Sequence, residues 1–233
     1  MKTRIKIGLL GATGRMGRTV SSLCKSSKKF QIIYRISKSD QRAKKLPKVD
    51  VLIDFSLPEG TIEYLPLLVK EKIPMVSGTT GFKSSQFRLL KKAALQIPLV
   101  HSPNMSVGMN ILFYLSQQLG QVVPADFDFS LVEIHHTRKK DRPSGSALRI
   151  LQILEQGGRK GVPVRSIRTG DVVGDHELTI KGQGELLKVQ HQAQSRRCFA
   201  QGALFAAEWM VTHRPRPGLY SMWDVLGIFN NKS

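Results

Sequence analysis

The chain has 233 residues, enough for one large α/β domain or two modest ones, and either can bury an ordinary hydrophobic core. Two cysteines, Cys24 and Cys198, make no disulfide framework of the secreted kind, so a reducing, cytoplasmic setting is expected. Lysine and arginine number 36 against 17 acidic residues, a formal net charge of +19, but they are spread along the whole length, which favours a solvated basic surface over a dedicated nucleic-acid site. The opening segment Met1 to Ala12 is a short apolar stretch broken at Gly8 and Gly11, read as a strand and not as a leader, and no window approaches the roughly 18 apolar residues of a membrane span.

An apolar run from Ile5 to Leu10 meets Gly11, and Met16, Val20, Leu23 and Cys24 then recur on one helix face, giving strand, turn, helix. Apolar runs at Phe30 to Ile36 and Val49 to Phe55 predict two more strands, with polar residues Ser37 to Lys48 between them. Pro58 and Glu59 suit a helix start, and Thr61 to Lys72 is the expected helix, kinked or shortened by Pro66. A strand at Ile73 to Ser77, a turn at Gly78 to Gly81, a helix around Ser84 to Leu95 and a strand at Ile97 to Ser102 follow. Alternating β and α with short turns means a parallel, helix-covered sheet.

The pattern changes after Pro103. A long helix at Ser106 to Leu119, a strand at Phe127 to Ile134, a helix at Ser146 to Glu155, a hairpin of strands at His176 to Lys181 and Glu185 to His191, and a helix through Phe199 and Met210 give α+β order. Pro215, Pro217 and Gly218 then break the chain, and the tail is expected to pack back on the first domain. The expected division is residues 1–105 with 216–233 as a dinucleotide-binding domain, and 106–215 as a substrate-binding and oligomerisation domain.

Gly11, Ala12, Thr13, Gly14, Arg15 and Met16 follow the first strand and open a helix, the context of a dinucleotide-binding turn whose N–H groups face a pyrophosphate. A tight βα connection is the plainer reading of the same residues. Where an acidic ribose contact is usual, the end of the second strand offers Arg35, Ser37 and Lys38; cations there suit the 2′-phosphate of NADPH, which is preferred, with NADH as the alternative. Gly78, Thr79 and Thr80 lie at the carboxyl end of one strand, where ligands of open sheets collect, and Ser102, Pro103, Asn104 and Met105 lie at the end of the next and form the hinge into the second domain.

The densest constellation runs from Glu133 to Ser146. Adjacent strand residues point to opposite faces, so His135 and His136 serve one ligand only if the strand has ended, and a loop is the expected setting. Histidine can donate a proton near neutral pH, Lys139 can give a second or fix a carboxylate, and Ser144, Gly145 and Ser146 at the next helix start form a carboxylate cradle. No zinc is expected, since no further donor stands at ligand spacing.

The run E-I-H-H-T-R-K-K-D-R-P-S-G-S-A resembles the signature of the dihydrodipicolinate reductase family, and G-A-T-G-R-M-G, D-F-S-L-P-E, G-T-T-G-F, S-P-N-M-S-V-G-M-N, R-T-G-D-V-V-G-D-H and D-V-L-G agree in order along nearly the whole chain. The resemblance implies a Rossmann-like domain plus a four-stranded α+β domain, a homotetramer, and NAD(P)H-dependent reduction of a cyclic dicarboxylate in the diaminopimelate and lysine pathway. It implies catalytic roles for His135 and Lys139, substrate contacts at His136, Lys139, Ser144, Gly145 and Ser146, and cofactor contacts at Gly11 to Met16, Gly78 to Thr80 and Ser102 to Met105. Ser146 stands where threonine is usual, Met105 where an aromatic is usual, and Ser37 where the acidic ribose contact is frequent. The expected chemistry is hydride delivery to a conjugated C=C–C=N system, with a proton from His135 or Lys139. The rivals are an amino-acid or semialdehyde dehydrogenase, which would share the first domain, and a dinucleotide-sensing or nucleic-acid-binding module.

Overall fold

The computed structural model describes residues 4–37 and 45–228. In chain order the elements are β1 Ile5–Leu10, α1 Arg15–Lys25, β2 Phe30–Ile36, β3 Val51–Asp54, α2 Pro58–Lys70, β4 Met75–Ser77, α3 Ser84–Ala94 and β5 Pro98–His101. They continue with α4 Val107–Val122, β6 Asp128–His135, α5 Gly145–Gln156, β7 Val164–Arg168, β8 Asp175–Gly182, β9 Glu185–Gln192, α6 Arg197–His213, β10 Gly218–Tyr220 and α7 Met222–Val225. The chain divides into two compact units, Met1–Ser106 with Phe199–Ser233, and Val107–Cys198.

The first unit is built on a six-stranded sheet in the order β10-β5-β4-β3-β1-β2, parallel throughout. This is a Rossmann-like arrangement, with the carboxyl ends of β1, β3 and β4 side by side. The apolar stretches expected to be strands are strands because they are buried on both faces: Val51, Leu52 and Ile53 are wholly inaccessible, and Tyr64, Leu65 and Leu68 of α2 with Leu90, Ala93 and Ala94 of α3 complete one core layer. Helix α2 continues through Pro66 to Lys70. Pro66 is exposed, so the carbonyl it leaves without a helical donor lies on the wet side. The sequence reading gives α6 to the second domain, whereas the helix groups with the first unit from Phe199 onward. Its small face explains the fit: a Cβ at Gly202 would lie 1.7 Å from the Met105 carbonyl oxygen.

The second unit carries a four-stranded mixed sheet, β7-β6-β8-β9, in which β6 and β7 are parallel and the other pairs antiparallel. Along β6 burial alternates, so Phe129, Leu131, Glu133 and His135 face inward while Val132 and Ile134 face outward. Helices α4 and α5 pack on each other, with Leu112 and Phe113 of α4 and Ile150, Ile153 and Leu154 of α5 buried.

Candidate active site

Two groups of predicted residues are each brought together, one in each unit. In the first, Gly11 lies at the end of β1 with φ +80, and a Cβ there would sit 2.4 Å from the Phe55 carbonyl oxygen. A Cβ at Gly17 would lie 2.2 Å from the Gly11 carbonyl oxygen, so both positions need glycine for α1 to seat on the turn. Helix α1 begins after Gly14 with no side-chain cap and no acidic residue in its first turn, which leaves its amino end suited to an anion. Gly11, Thr13, Gly14 and Ser37 line one cleft of about 400 Å³ with Phe55, Ser56 and Glu59.

The remaining predicted cofactor contacts are placed as follows. Ala12 is buried beneath the turn, Arg15 and Arg35 are exposed, Met16 is half-buried, and Lys38 lies outside the described residues. Thr79 is buried, Gly78 half-buried and Thr80 exposed at the end of β4. His101 Nε2 bonds the Thr79 carbonyl at 3.1 Å, and burial holds this imidazole below its ordinary range against the pull of that carbonyl. After β5, Ser102 Oγ donates to the Asn104 carbonyl at 2.7 Å and Ser106 N donates to Asn104 Oδ1 at 2.9 Å, which ties the turn internally. Pro103 is exposed and Met105 is buried.

In the second unit strand register assembles the other group. His135 is the last residue of β6, not a loop residue as expected, and it therefore shares the buried face with Glu133 two positions earlier. His136 is the first residue beyond the strand, and this removes the conflict between adjacent side chains. In the register, Arg168 stands beside His135 on β7 and His176 stands opposite Glu133 on β8. Glu133 Oε2 meets His135 Nδ1 in a short contact, and Glu133 Oε1 lies 2.7 Å from Arg168 Nη2, both partners of that ion pair being almost wholly buried. His176 packs edge-on against His135, with ring centroids 5.2 Å apart, and its Nε2 lies 3.2 Å from Ser144 Oγ.

The electrostatics follow from this row. Burial works to raise Glu133, but hydrogen bonds from Arg168 and Ser166 and the neighbouring charges outweigh it and hold the carboxyl below its usual range. Burial also pushes His135 below 6.5, opposed by Glu133 and reinforced by Lys139 and Arg168. His176 is pushed down to about 3, chiefly by burial, so it is neutral and shares a single proton with the Ser144 hydroxyl across the 3.2 Å contact. Arg168 also braces the loop, donating through Nε to the Lys139 carbonyl at 3.3 Å and through Nη2 to the Asp141 carbonyl.

Lys139 is half-buried, and its Nζ pairs with Asp141 Oδ2 at 2.9 Å. Ser144 caps α5 by accepting from Ala147 N at 3.2 Å, while a Cβ on Gly145 would meet open space. Ser146 is half-buried in the first turn. A Cβ at Gly174 would lie 2.9 Å from His135 Nε2, so the bare glycine leaves room at the one ring nitrogen that Glu133 does not engage.

Sequence reasoning quoted Glu133, Arg168 and His176 within its motifs but gave none of them a role in the site. A role for Glu133 was within reach, since the i, i+2 spacing of a strand puts it beside His135, but the place of Arg168 and His176 beside them follows only from strand pairing. Glu133, His135 and His176 hold their donor atoms close enough to suggest a metal site. The Arg168 guanidinium belongs to the same cluster and balances the carboxylate, so a cation there would sit against a fixed positive charge.

Comparison with known proteins agrees with this geometry. A family model described as dihydrodipicolinate reductase, N-terminus, matches residues 5–105, and one described as dihydrodipicolinate reductase, C-terminus, matches residues 108–226. The 4-hydroxy-tetrahydrodipicolinate reductase of Bdellovibrio bacteriovorus is 39% identical, covering 96% of both chains. That of Nitrosomonas eutropha is 35% identical over 97% of this chain and 99% of its own. Among solved structures, the dipicolinate-bound dihydrodipicolinate reductase from Paenisporosarcina sp. TG-14 superposes with a TM-score of 0.79 at 19% identity, covering 95% of this chain and 99% of that one, a likeness of fold. Matched by family models across both units and by relatives along almost its full length, the chain belongs to the dihydrodipicolinate reductase family.

Proposed function

We propose that this chain reduces 4-hydroxy-tetrahydrodipicolinate to tetrahydrodipicolinate with a reduced nicotinamide dinucleotide, in the biosynthesis of diaminopimelate and lysine. One observation carries the reading. The family's signature segment, Glu133 to Ser146, runs from the end of β6 into α5 and carries an imidazole, an ammonium and a helix amino end, in a chain whose first unit has an uncapped glycine turn. The Nitrosomonas and Bdellovibrio relatives bear the name of this activity, and the Paenisporosarcina structure, alike in fold, is described as dipicolinate-bound.

The first unit is assigned the dinucleotide, held by Gly11 to Met16, Gly78 to Thr80 and Ser102 to Met105. Exposed Arg35 beside Ser37 favours NADPH over NADH, because a guanidinium can pair with the extra phosphate. The second unit is assigned the substrate. The α5 amino end, with Ser144, Gly145 and Ser146, receives one carboxylate, and His136 and Lys139 meet the other, which displaces Asp141 from the ammonium. Loss of the substrate's 4-hydroxyl as water leaves the conjugated C=C–C=N system, and a bound reduced nicotinamide would supply the hydride that it takes up. His135 and Lys139 are the groups placed to supply the proton, and Glu133 fixes the His135 ring with Nδ1 inward and Nε2 beside Gly174.

A homotetramer is the proposed assembly, joined through the outer face of the four-stranded sheet. Val132, Ile134 and Ile167 lie half-exposed there, and Leu186 is 56% exposed. Among the described residues no helix is long and apolar enough to cross a membrane; the proposed site of action, the cytoplasm, follows from the proposed biosynthetic role. The direct test is to supply the condensation product of pyruvate and aspartate semialdehyde and follow loss of NADPH absorbance. Turnover is expected; binding of NADPH with no turnover across a panel of imine and semialdehyde substrates would refute the reading.

A further inference from the structure

The proposed reaction gives no role to Asp54, the first residue of the motif D-F-S-L-P-E. Its side chain is fully buried and accepts five hydrogen bonds. Oδ1 takes Ser56 N at 2.9 Å and Ser56 Oγ at 2.6 Å. Oδ2 takes Thr61 Oγ1 at 2.7 Å, Ser77 Oγ at 2.8 Å and Thr79 Oγ1 at 3.0 Å. Among the described residues no cation pairs with it, so neutral donors alone offset a buried charge.

Such a carboxylate is an expensive way to fill a core, since an apolar side chain there would carry no desolvation cost. What it does that an apolar group cannot is fix direction: four hydroxyl groups, from the end of β4, two βα turns and α2, all send their protons to one carboxylate. The same segment is wedged between both glycine turns. Phe55 N donates to the Leu10 carbonyl at 3.0 Å, Gly78 N donates to the Asp54 carbonyl at 2.9 Å, and a Cβ at Gly78 would lie 2.3 Å from the Phe55 ring. Phe55 and Ser56 then line the cleft that Gly11, Thr13 and Gly14 line.

We infer that Asp54 is a positioning residue for the dinucleotide: without touching the cofactor, it holds the Ser56 and Ser77–Thr79 segments in the arrangement that binds it. The inference rests on assigning the nicotinamide dinucleotide to the first unit. The test is fluorescence titration of NADPH on the purified full chain, with kcat, KM for NADPH and thermal midpoint measured alongside. Asp54→Asn should weaken NADPH binding at least about tenfold, equivalent to about 1.4 kcal/mol, and KM should rise far more than kcat falls. Thr61→Val and Ser77→Ala, which each remove one donor outside the cleft and keep the claim testable if Asp54→Asn does not fold, should weaken binding about threefold. Variants that melt earlier yet bind NADPH like the parent in their folded fraction would reduce Asp54 to a structural group and overturn the inference. A parent chain that binds neither NADPH nor NADH would overturn the cofactor assignment itself, and the two failures are thus told apart.

Discussion

Burial holds His135 below the ordinary imidazole range, Glu133 pulls it back up, and the charges of Lys139 and Arg168 press it down further. Above about pH 6.5 the free chain therefore carries His135 largely neutral, and a proton must be taken up before the ring can give one away. For His135 as donor, log kcat/KM should fall with rising pH along a limb set by this depressed value. The limb for kcat should lie higher, because two bound carboxylates favour the imidazolium. Substituting His135→Gln should remove the limb and lower kcat by about a hundredfold with little change in KM; an unchanged kcat would take His135 out of the mechanism. His176 makes a different prediction. Unfolded, it binds a proton below about pH 6.5; folded, it stays neutral to about pH 3, so its contribution to stability is complete above the first value and lost as pH falls toward the second. Denaturant unfolding from about pH 7 down to about pH 4 should show stability declining, and His176→Asn should flatten that decline by up to about 1.4 kcal/mol per pH unit. His135, His136, Lys139 and Ser144 were legible because they lie within one contiguous stretch. The roles of Arg168 and His176 were not, since each lies more than thirty residues from His135 and only register brings it in.

Elements long enough to show their period were readable from residues alone. β1, β2 and β3 announce themselves as short, mainly apolar runs, broken only by Lys6 in β1 and by Gln31 and Arg35 in β2 before Asp54 closes β3, and α1 by an apolar face at helical spacing. β7 was missed because Arg165, Ser166 and Arg168 interrupt its apolar residues, and β10 and α7 because, at three and four residues close behind Pro215 and Pro217, they show neither an apolar run nor a period. The resemblance supplied the count of four strands in the second sheet, which the residues alone did not. That sheet also has an outward face that its helices leave uncovered, where alternation along β6 places Val132 and Ile134. If the chain assembles there, Val132→Asp should yield a smaller species by light scattering with an unchanged circular dichroism spectrum, because a charge would then be buried between subunits. An unaltered mass would direct attention to another surface.

The charge of +19 belongs to the molecule as a whole, and its value for function lies in what it attracts. Both proposed reactants are anions, the substrate with two carboxylates and the cofactor with its phosphates, so a positive field raises their local concentration and speeds encounter without altering the chemical step. Screening shortens that field from a Debye length of about 30 Å at low salt to about 3 Å at 1 M. KM for both reactants should therefore rise with ionic strength while kcat stays nearly constant. NADPH carries one phosphate more than NADH, so its KM should climb more steeply with salt, and part of the proposed preference for it should fade. Steady-state kinetics across a sodium chloride series with each cofactor separate two sources of preference. A specific contact at Arg35 and Ser37 leaves a residual preference in high salt, whereas preference arising from the general field vanishes. Parallel slopes for the two cofactors would mean that the surplus positive charge takes no part in choosing between them.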